Sequence, residues 1–381
     1  MTALRARMLG SAGVLAVAAL ALSACGSAPT TTSGGSDAAT ATSAQAFGGM
    51  SALVTAAKKE GQLNAIALPR DWANYGALID GFTAKYGIKI NDENPEGTSQ
   101  DELTAITSRK GQSRAPDVVD VGSSFALAGA SQGLFAPYKV ADFAKIPAAQ
   151  VAADGTWYND YGGYISIGCS ATKVGVCPKS FADLLKPRYK GMVALNGDPT
   201  QAGAAFGGVF AAALANGGSF DNIQPGIDFF GKLKKAGNFN PVQSKQTTVE
   251  SGETPITIDW DYLNAGYAQE FGSKGINWQV NVPTDGQYAN YYSQAVNKDA
   301  PHPAAARLWE EYLYSAEGQN LFLKGFARPV LMPSMQTDGS LDKTAAAALP
   351  PVSGTPKFPT QDQQTKAQKT VTDGWASAVA G

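Results

Sequence analysis

The chain has 381 residues, 44% of them hydrophobic and 16% charged, with a formal net charge of −2. That length allows two domains with cores of their own, and near-neutrality without a long basic run argues against a nucleic-acid partner. A single histidine, His302 between two prolines, excludes His-rich zinc sites and leaves any Ser-His-Asp enzyme dependent on one loop residue.

Arg5 and Arg7 precede an apolar run from Met8 to Leu22, which closes in Leu22-Ser23-Ala24-Cys25. The run is too short for a membrane-spanning helix and has the flanks of an export signal. It resembles a bacterial lipoprotein signal over residues 1–25. That resemblance implies a lipid anchor on Cys25 and a folded body outside the cytoplasm. Residues 26–50 are Ser, Thr, Gly and Ala with almost no large apolar side chain. They cannot offset their ordering entropy by burial, so a flexible tether is expected.

Ser51 to Glu60 reads as a short amphipathic helix stopped by Gly61, and Leu63 to Leu68 as a strand leading into Pro69-Arg70-Asp71-Trp72. Tyr75 to Tyr86 repeats apolar residues at helical spacing up to Gly87. Ile88 to Ile90 is a second strand, followed by the loop Asn94 to Ser99, then a helix from Asp101 to Arg109. Val118 to Val121 is a strand buried on both faces by its composition, and Gly122-Ser123-Ser124 opens another helix. Strands alternating with helices predict a parallel, doubly wound α/β domain with ligand loops at the strands' carboxyl ends.

A second block begins at Tyr161 to Gly168. With Cys25 assigned to lipid, Cys169 and Cys177 remain as an even pair in an exported protein. A disulfide is expected there, two free thiols being the alternative. Phe181 to Leu185 reads as a helix. Lys190 to Gly218 reads as a strand over Met192 to Leu195, a turn at Asn196-Gly197, and a helix of small residues. Asp198 as N-cap, Pro199 at the first helical position and Gln201 in a capping box set its predicted start. Further helices are expected over Gln224 to Lys235 and Pro303 to Ser315, and strands over Thr254 to Asp259 and Ile276 to Val282. Tyr288 to Val296 leads into the second of those helices, and the Ala-, Pro- and Gln-rich tail beyond Leu331 holds some helix.

Gly226 to Leu233 imitates a phosphate-binding loop, but Leu233 lacks the hydroxyl a magnesium ion needs and the segment reads as mid-helix. Neither a Gly-x-Ser-x-Gly elbow nor a His-Glu-x-x-His helix is present. What stands out is aromatic and acidic residues together at predicted strand ends: Asp71-Trp72, Glu96, Asp198, Asp259-Trp260-Asp261-Tyr262, and Tyr288 to Tyr292. Aromatic faces beside carboxylates suit a cationic amine.

The segments Ala115-Pro116-Asp117-Val118-Val119-Asp120, Leu184 to Gly191, Asp198-Pro199-Thr200, Ser251-Gly252-Glu253-Thr254-Pro255 and Ser315-Ala316-Glu317-Gly318-Gln319 carry a resemblance over nearly the whole mature chain. It resembles the extracellular solute-binding proteins of bacterial ABC importers, in the group with ferric-iron, polyamine and phosphonate binders. The resemblance implies a type II, two-lobed periplasmic-binding-protein-like α/β fold, each lobe a mostly parallel sheet flanked by helices. Lobe 1 is expected to comprise residues 51–164 and 290–333, and lobe 2 residues 165–289 and 334–381. It further implies a monomer that closes on a small solute, uses no cofactor or catalytic residue, and presents itself to a membrane permease. Ferric binders place two adjacent tyrosines where this sequence has Trp260-Asp261-Tyr262, and Tyr291-Tyr292 lies on the next crossing, so no metal site is expected. Anion binders would use Ser99, Ser123 and Thr200, with Arg70 as a clamp. Polyamine binders use aromatics with carboxylates, which suits Trp72, Asp259, Trp260 and Asp261, and a polyamine-like amine is the expected ligand. The rival from another class is a surface-anchored hydrolase built on His302.

Overall fold

A computed structural model describes residues 37–354 and 358–380; the export signal, Cys25 and the tether's first part lie outside them. Parallel β1 (Gln62–Ile66) and β2 (Lys89–Glu93) are joined through the helix Tyr75–Tyr86, which buries Leu78 and Phe82. An eight-stranded sheet follows the order β3 (Val118–Gly122), β9 (Ala289–Asn297), β5 (Tyr158–Ser170), β7 (Ile256–Trp260), β6 (Val193–Leu195). β4 (Phe135–Ala136) lies beside β9, while β8 (Trp278–Asn281) and β10 (Arg328–Pro329) lie beside β5.

β5 organises the body. Every one of its residues is buried. Up to Tyr164 it pairs with β9, and from Ile165 onward with β7, antiparallel in both cases. Gly162 and Gly163 stand where the Asn290 backbone and the Tyr262 ring press against the strand, which a Cβ would block. The exchange of partners divides the structure into a first half carrying β1–β4 and a second carrying β6–β8.

The architecture is α/β, as expected, but the sheet is mixed rather than mostly parallel. Among the strands of the described residues, only β1–β2 and β6–β7 pair in parallel. The physical reason is the crossing itself: β5 runs out of the first half and β9 runs back beside it, so the two central strands oppose each other.

Two further expectations are corrected. The small-residue helix starts at Gly203, with Ala202 as an N-cap that makes no side-chain bond. Asp198 closes a local turn instead, accepting from the Thr200 amide at 2.8 Å and its hydroxyl at 2.7 Å, a geometry that competes with helix capping. The stretch before Met50 is packed from Asp37 onward. Ala38 and Ala41 are buried, and the buried Arg307 guanidinium donates to the Ala39 and Ala41 carbonyls at 2.9 and 2.8 Å.

The helix Gln224–Lys235 occupies its predicted span, so the phosphate-loop imitation is indeed mid-helix. Phe181 to Leu185 is a shorter 3-10 turn. Cys169 and Cys177 form a disulfide. The tail ends in a helix, Gln361–Val379, whose Trp375 packs on Phe230 and Phe239. No helix among the described residues is long and apolar enough to cross a membrane.

Candidate functional site

The carboxyl ends of β1, β2 and β6 open on one cleft between the halves. From the first half come Asp71 and Trp72 after β1, Glu96 to Ser99 after β2, Glu102, Asp120 on β3 and Tyr292 on β9. From the second come Asn196, the helix start Ala202 to Ala204, Gln243 to Gln246 in part, Leu263 and Tyr267. The loop that carries Trp72 is held in an unusual backbone path, with Ala67, Ala73 and Asn74 at φ of 58°, 45° and 67°. Non-glycine residues adopt that region at an energetic cost, and it concentrates at binding sites.

The halves meet closely. The Gln100 amide donates to the Gln201 carbonyl at 3.2 Å, and Lys245 Nζ stands 3.6 Å from Glu96 Oε2. A Cβ added to Gly122 would sit 2.9 Å from the Gly203 Cα, so glycines are needed where these two helix starts touch. About 70 Å³ of interior space remains. As the halves stand, that space is well below the size of an ordinary small-molecule site.

Four carboxylates and one lysine line this space. Asp120 Oδ2 accepts from the hydroxyls of Tyr161 at 2.6 Å and Tyr75 at 2.8 Å, while Oδ1 is buried without a partner. Burial pushes its carboxyl up to about 7, against the lowering effect of the two tyrosine bonds. Glu102 accepts from the Asp120 amide at 2.9 Å, and its carboxyl is also raised, first by burial and then by Asp120. Asp71, exposed at the mouth, is raised by partial desolvation and by the charges of Glu96 and Glu270. An entering cation would meet groups that ionise more readily once it is there.

Aromatic rings run from the wall to the floor. Trp72 meets Tyr292 edge-on at 5.3 Å and Tyr262 at 6.0 Å. Trp260 stacks on Tyr262 at 6.0 Å.

The structure thus brings together Asp71, Trp72, Glu96, Ser99 and Tyr292 in the cleft wall. Trp260 and Tyr262 lie beneath it, both buried. Asp259 is buried behind them, accepting from Asn196 at 3.0 Å. Asp261 pairs with Arg328 at 2.5 Å. Ser123 donates to the Tyr291 carbonyl at 2.7 Å, and Ser123 and Tyr291 face a different cavity. Arg70 is tied to Asp80 at 2.6 Å and, with Asp198 and Thr200, stays out of the cleft lining. Glu102, Asp120, Asn196, Lys245 and Tyr267 were not singled out from sequence. For Glu102 a signal existed: three residues beyond Ser99, it shares that helix face. His302 sits at the far end of β3, its Nδ1 2.8 Å from Asp117 and its Nε2 3.0 Å from Gln62.

A two-part α/β body with an acidic, aromatic-floored cleft between its halves is the build of a solute receptor. A sequence profile described as bacterial extracellular solute-binding protein matches residues 113–350. The chain belongs to that family. It is a binding protein, not an enzyme. Among solved structures, the chain is similar to the periplasmic binding protein AfuA from Actinobacillus pleuropneumoniae, described with fructose-6-phosphate bound. That match has a TM-score of 0.64 at 17% identity, over 84% of this chain and 98% of the other. Iron-bound HitA from Pseudomonas aeruginosa matches at 0.57 and 22% identity, over 82% and 97% of the two chains. The Atu4243-GABA receptor matches at 0.60 and 21% identity, over 84% and 97%. At these identities the likeness is one of fold, the two-lobed fold of periplasmic binding proteins. No curated protein matches the sequence.

Proposed function

We propose that this extracellular solute-binding protein is the receptor of an ABC import system for a small solute bearing a protonated amine. It works as a monomer, held at the membrane by lipid on Cys25, and delivers the solute to a permease. The observation that carries the ligand reading is Asp120. Its unpartnered, buried Oδ1 belongs to a cleft where four carboxylates face one lysine. An ammonium supplies the missing donor and the missing positive charge together. Trp72, Tyr267 and Tyr292 add ring faces suited to a cation. The amine carried by the ligand named for the Atu4243 receptor agrees with this chemistry, whereas the sugar phosphate and iron named for the other relatives set the competing readings. An anion would find the uncapped helix start at Gly203, but would sit among the same carboxylates.

The deciding experiment is a thermal-shift and calorimetric screen of the purified protein. It uses putrescine, spermidine, γ-aminobutyrate, inorganic phosphate, fructose 6-phosphate and ferric citrate. Stabilisation by an amine, lost in Asp120→Asn, is expected. Stabilisation by phosphate, sugar phosphate or iron alone overturns the amine reading.

A further inference from the structure

A second cavity lies outside the cleft, between the first half of the body and the start of the helix Gln361–Val379. Its volume is about 480 Å³, within the range of roughly 300–1,000 Å³ typical of small-molecule sites. Trp157, Tyr291 and Phe358 supply aromatic walls, with the Tyr291 and Phe358 rings 5.6 Å apart.

Amides make up most of the polar lining, beside Ser123, Thr360 and Asp362, and their hydrogen bonding is incomplete. Asn159 and Gln364 are each only 6% exposed. The Asn159 carbonyl accepts from Ser293 at 2.7 Å, and the Gln364 carbonyl from Asn290 at 3.0 Å. The NH₂ group of neither has an acceptor among the described residues. Gln150 Oε1, on the same lining, is buried with no donor. Asn290 is by contrast well used, donating to Tyr288 and Gln364 and accepting from the Tyr291 amide, with the Ser123 hydroxyl 3.2 Å from its carbonyl oxygen. A buried oxygen left open, as Gln150 Oε1 is, is uncommon because it forfeits a bond it made in water; the two NH₂ groups are free to bond to an occupant of the cavity.

A partner for this cavity must accept from two amides and donate to a third, and must offer apolar faces to aromatic rings. A neutral partner suits the described lining: among the described residues no lysine or arginine lines the cavity, and its one acid, Asp362, is exposed at the rim. Hydroxyl groups both donate and accept, and pyranose rings carry them around apolar C–H faces. We infer that this cavity is a binding site for a neutral carbohydrate of one or two rings, separate from the cleft and independent of the cleft's ligand.

Calorimetry and saturation-transfer NMR with maltose, trehalose, cellobiose and N,N′-diacetylchitobiose test this on the intact protein, with adenosine and putrescine as comparison ligands. At least one sugar is expected to bind. Asn159→Leu and Gln364→Leu each weaken it by about fivefold or more, while Asp71→Asn in the cleft leaves sugar binding unchanged. Gln150→Leu, at the cavity's edge, keeps the test open should the buried substitutions impair folding, and weakens binding likewise. The inference is overturned if no sugar binds at millimolar concentration, if adenosine binds in place of sugars, or if sugar binding survives these substitutions and is lost in Asp71→Asn. Loss of sugar binding in Asp71→Asn would place the sugar in the cleft and count against the amine reading as well; the other outcomes leave that reading to putrescine, which reports on it separately.

Discussion

The indole N–H of Trp72 donates to the Tyr161 hydroxyl at 2.7 Å, which makes a loop residue at the cleft wall part of the hydrogen bonding of the buried sheet. Tyr161 in turn donates to Asp120 at 2.6 Å. A ligand touching Trp72 is thus two bonds from the carboxylate that would hold its ammonium. Orientation at the wall and charge at the floor are set by one chain of donors.

Removing the middle of that chain tests it. Tyr161→Phe keeps the ring, which stacks on Tyr292 at 5.8 Å, and deletes only the hydroxyl. Asp120 loses one of the two bonds favouring its charged form, so its pKa moves further above about 7. Amine affinity at pH 7 is expected to fall by about tenfold or more, consistent with losing a bond to a charged group. Titration calorimetry checks this, and an unchanged affinity removes Tyr161 from the site.

Binding should also depend on pH in a stated direction. Without ligand, Asp120 is largely protonated below about pH 7. A bound ammonium favours the carboxylate, so binding releases a proton there. Affinity is expected to rise with pH up to about 7 and then level off while the amine stays charged. Calorimetry at pH 6 in buffers of different ionisation enthalpy measures the released proton directly.

Local signals were legible in the sequence where one segment decides its own structure. The helix Tyr75–Tyr86 followed from apolar spacing and Gly87, and β3 from the valines Val118, Val119 and Val121. The crossing strands were not legible as such, because the partners of β5 come from residues more than eighty positions away and pairing direction leaves no mark on composition. The same distance hid half of the cleft. Trp72 and Glu96 announced themselves by lying in loops, whereas Asp120 sits inside an apolar strand and Glu102 on a helix. Asp198 misled for the opposite reason: an Asp before a Pro looks like a helix cap, and only its bond to Thr200 shows the turn it makes.

Asp259 offers a stability test independent of any ligand. Burial pushes its carboxyl up to about 7, although the Trp260 amide and Asn196 bond to it. The unfolded chain ionises this group near its usual value of about 3.9. Between that pH and about 7 the folded state holds a proton the unfolded state lacks, so this group's contribution to stability falls as pH rises. Asp259→Asn carries no titrating proton. The variant is expected to show a flatter melting temperature between pH 5 and 8, and to melt higher than wild type at pH 8, by roughly 2–4 °C per kcal/mol recovered. Differential scanning fluorimetry across that range reads both.

The disulfide predicts a loss of stability without a loss of binding. Cys169 and Cys177 are eight residues apart, and closing so short a loop contributes roughly 2–3 kcal/mol by restricting the unfolded chain. Neither cysteine lines the cleft. Replacing both with serine is expected to lower the melting temperature by several degrees and to leave amine affinity within about twofold. A matching loss of affinity would instead tie the loop to the site.

The contact between Gly122 and Gly203 determines how closely the halves approach. A Cβ on Gly203 would lie 3.0 Å from the Gly122 Cα and 3.1 Å from the Tyr292 hydroxyl, closer than ordinary packing allows. Backbone faces it on one side and a ring held by its neighbours on the other, so neither yields cheaply. Gly203→Ala should therefore hold the helix start away from β3 and widen the cleft without disturbing either half's own core. If ligand capture needs the halves pressed together, affinity falls by about tenfold or more as the closed arrangement becomes the minor one. Small-angle scattering with ligand would then show a larger radius of gyration than wild type under the same conditions. Unfolding should remain a single cooperative step. Wild-type affinity and an unchanged radius of gyration in Gly203→Ala would mean that the cleft closes elsewhere.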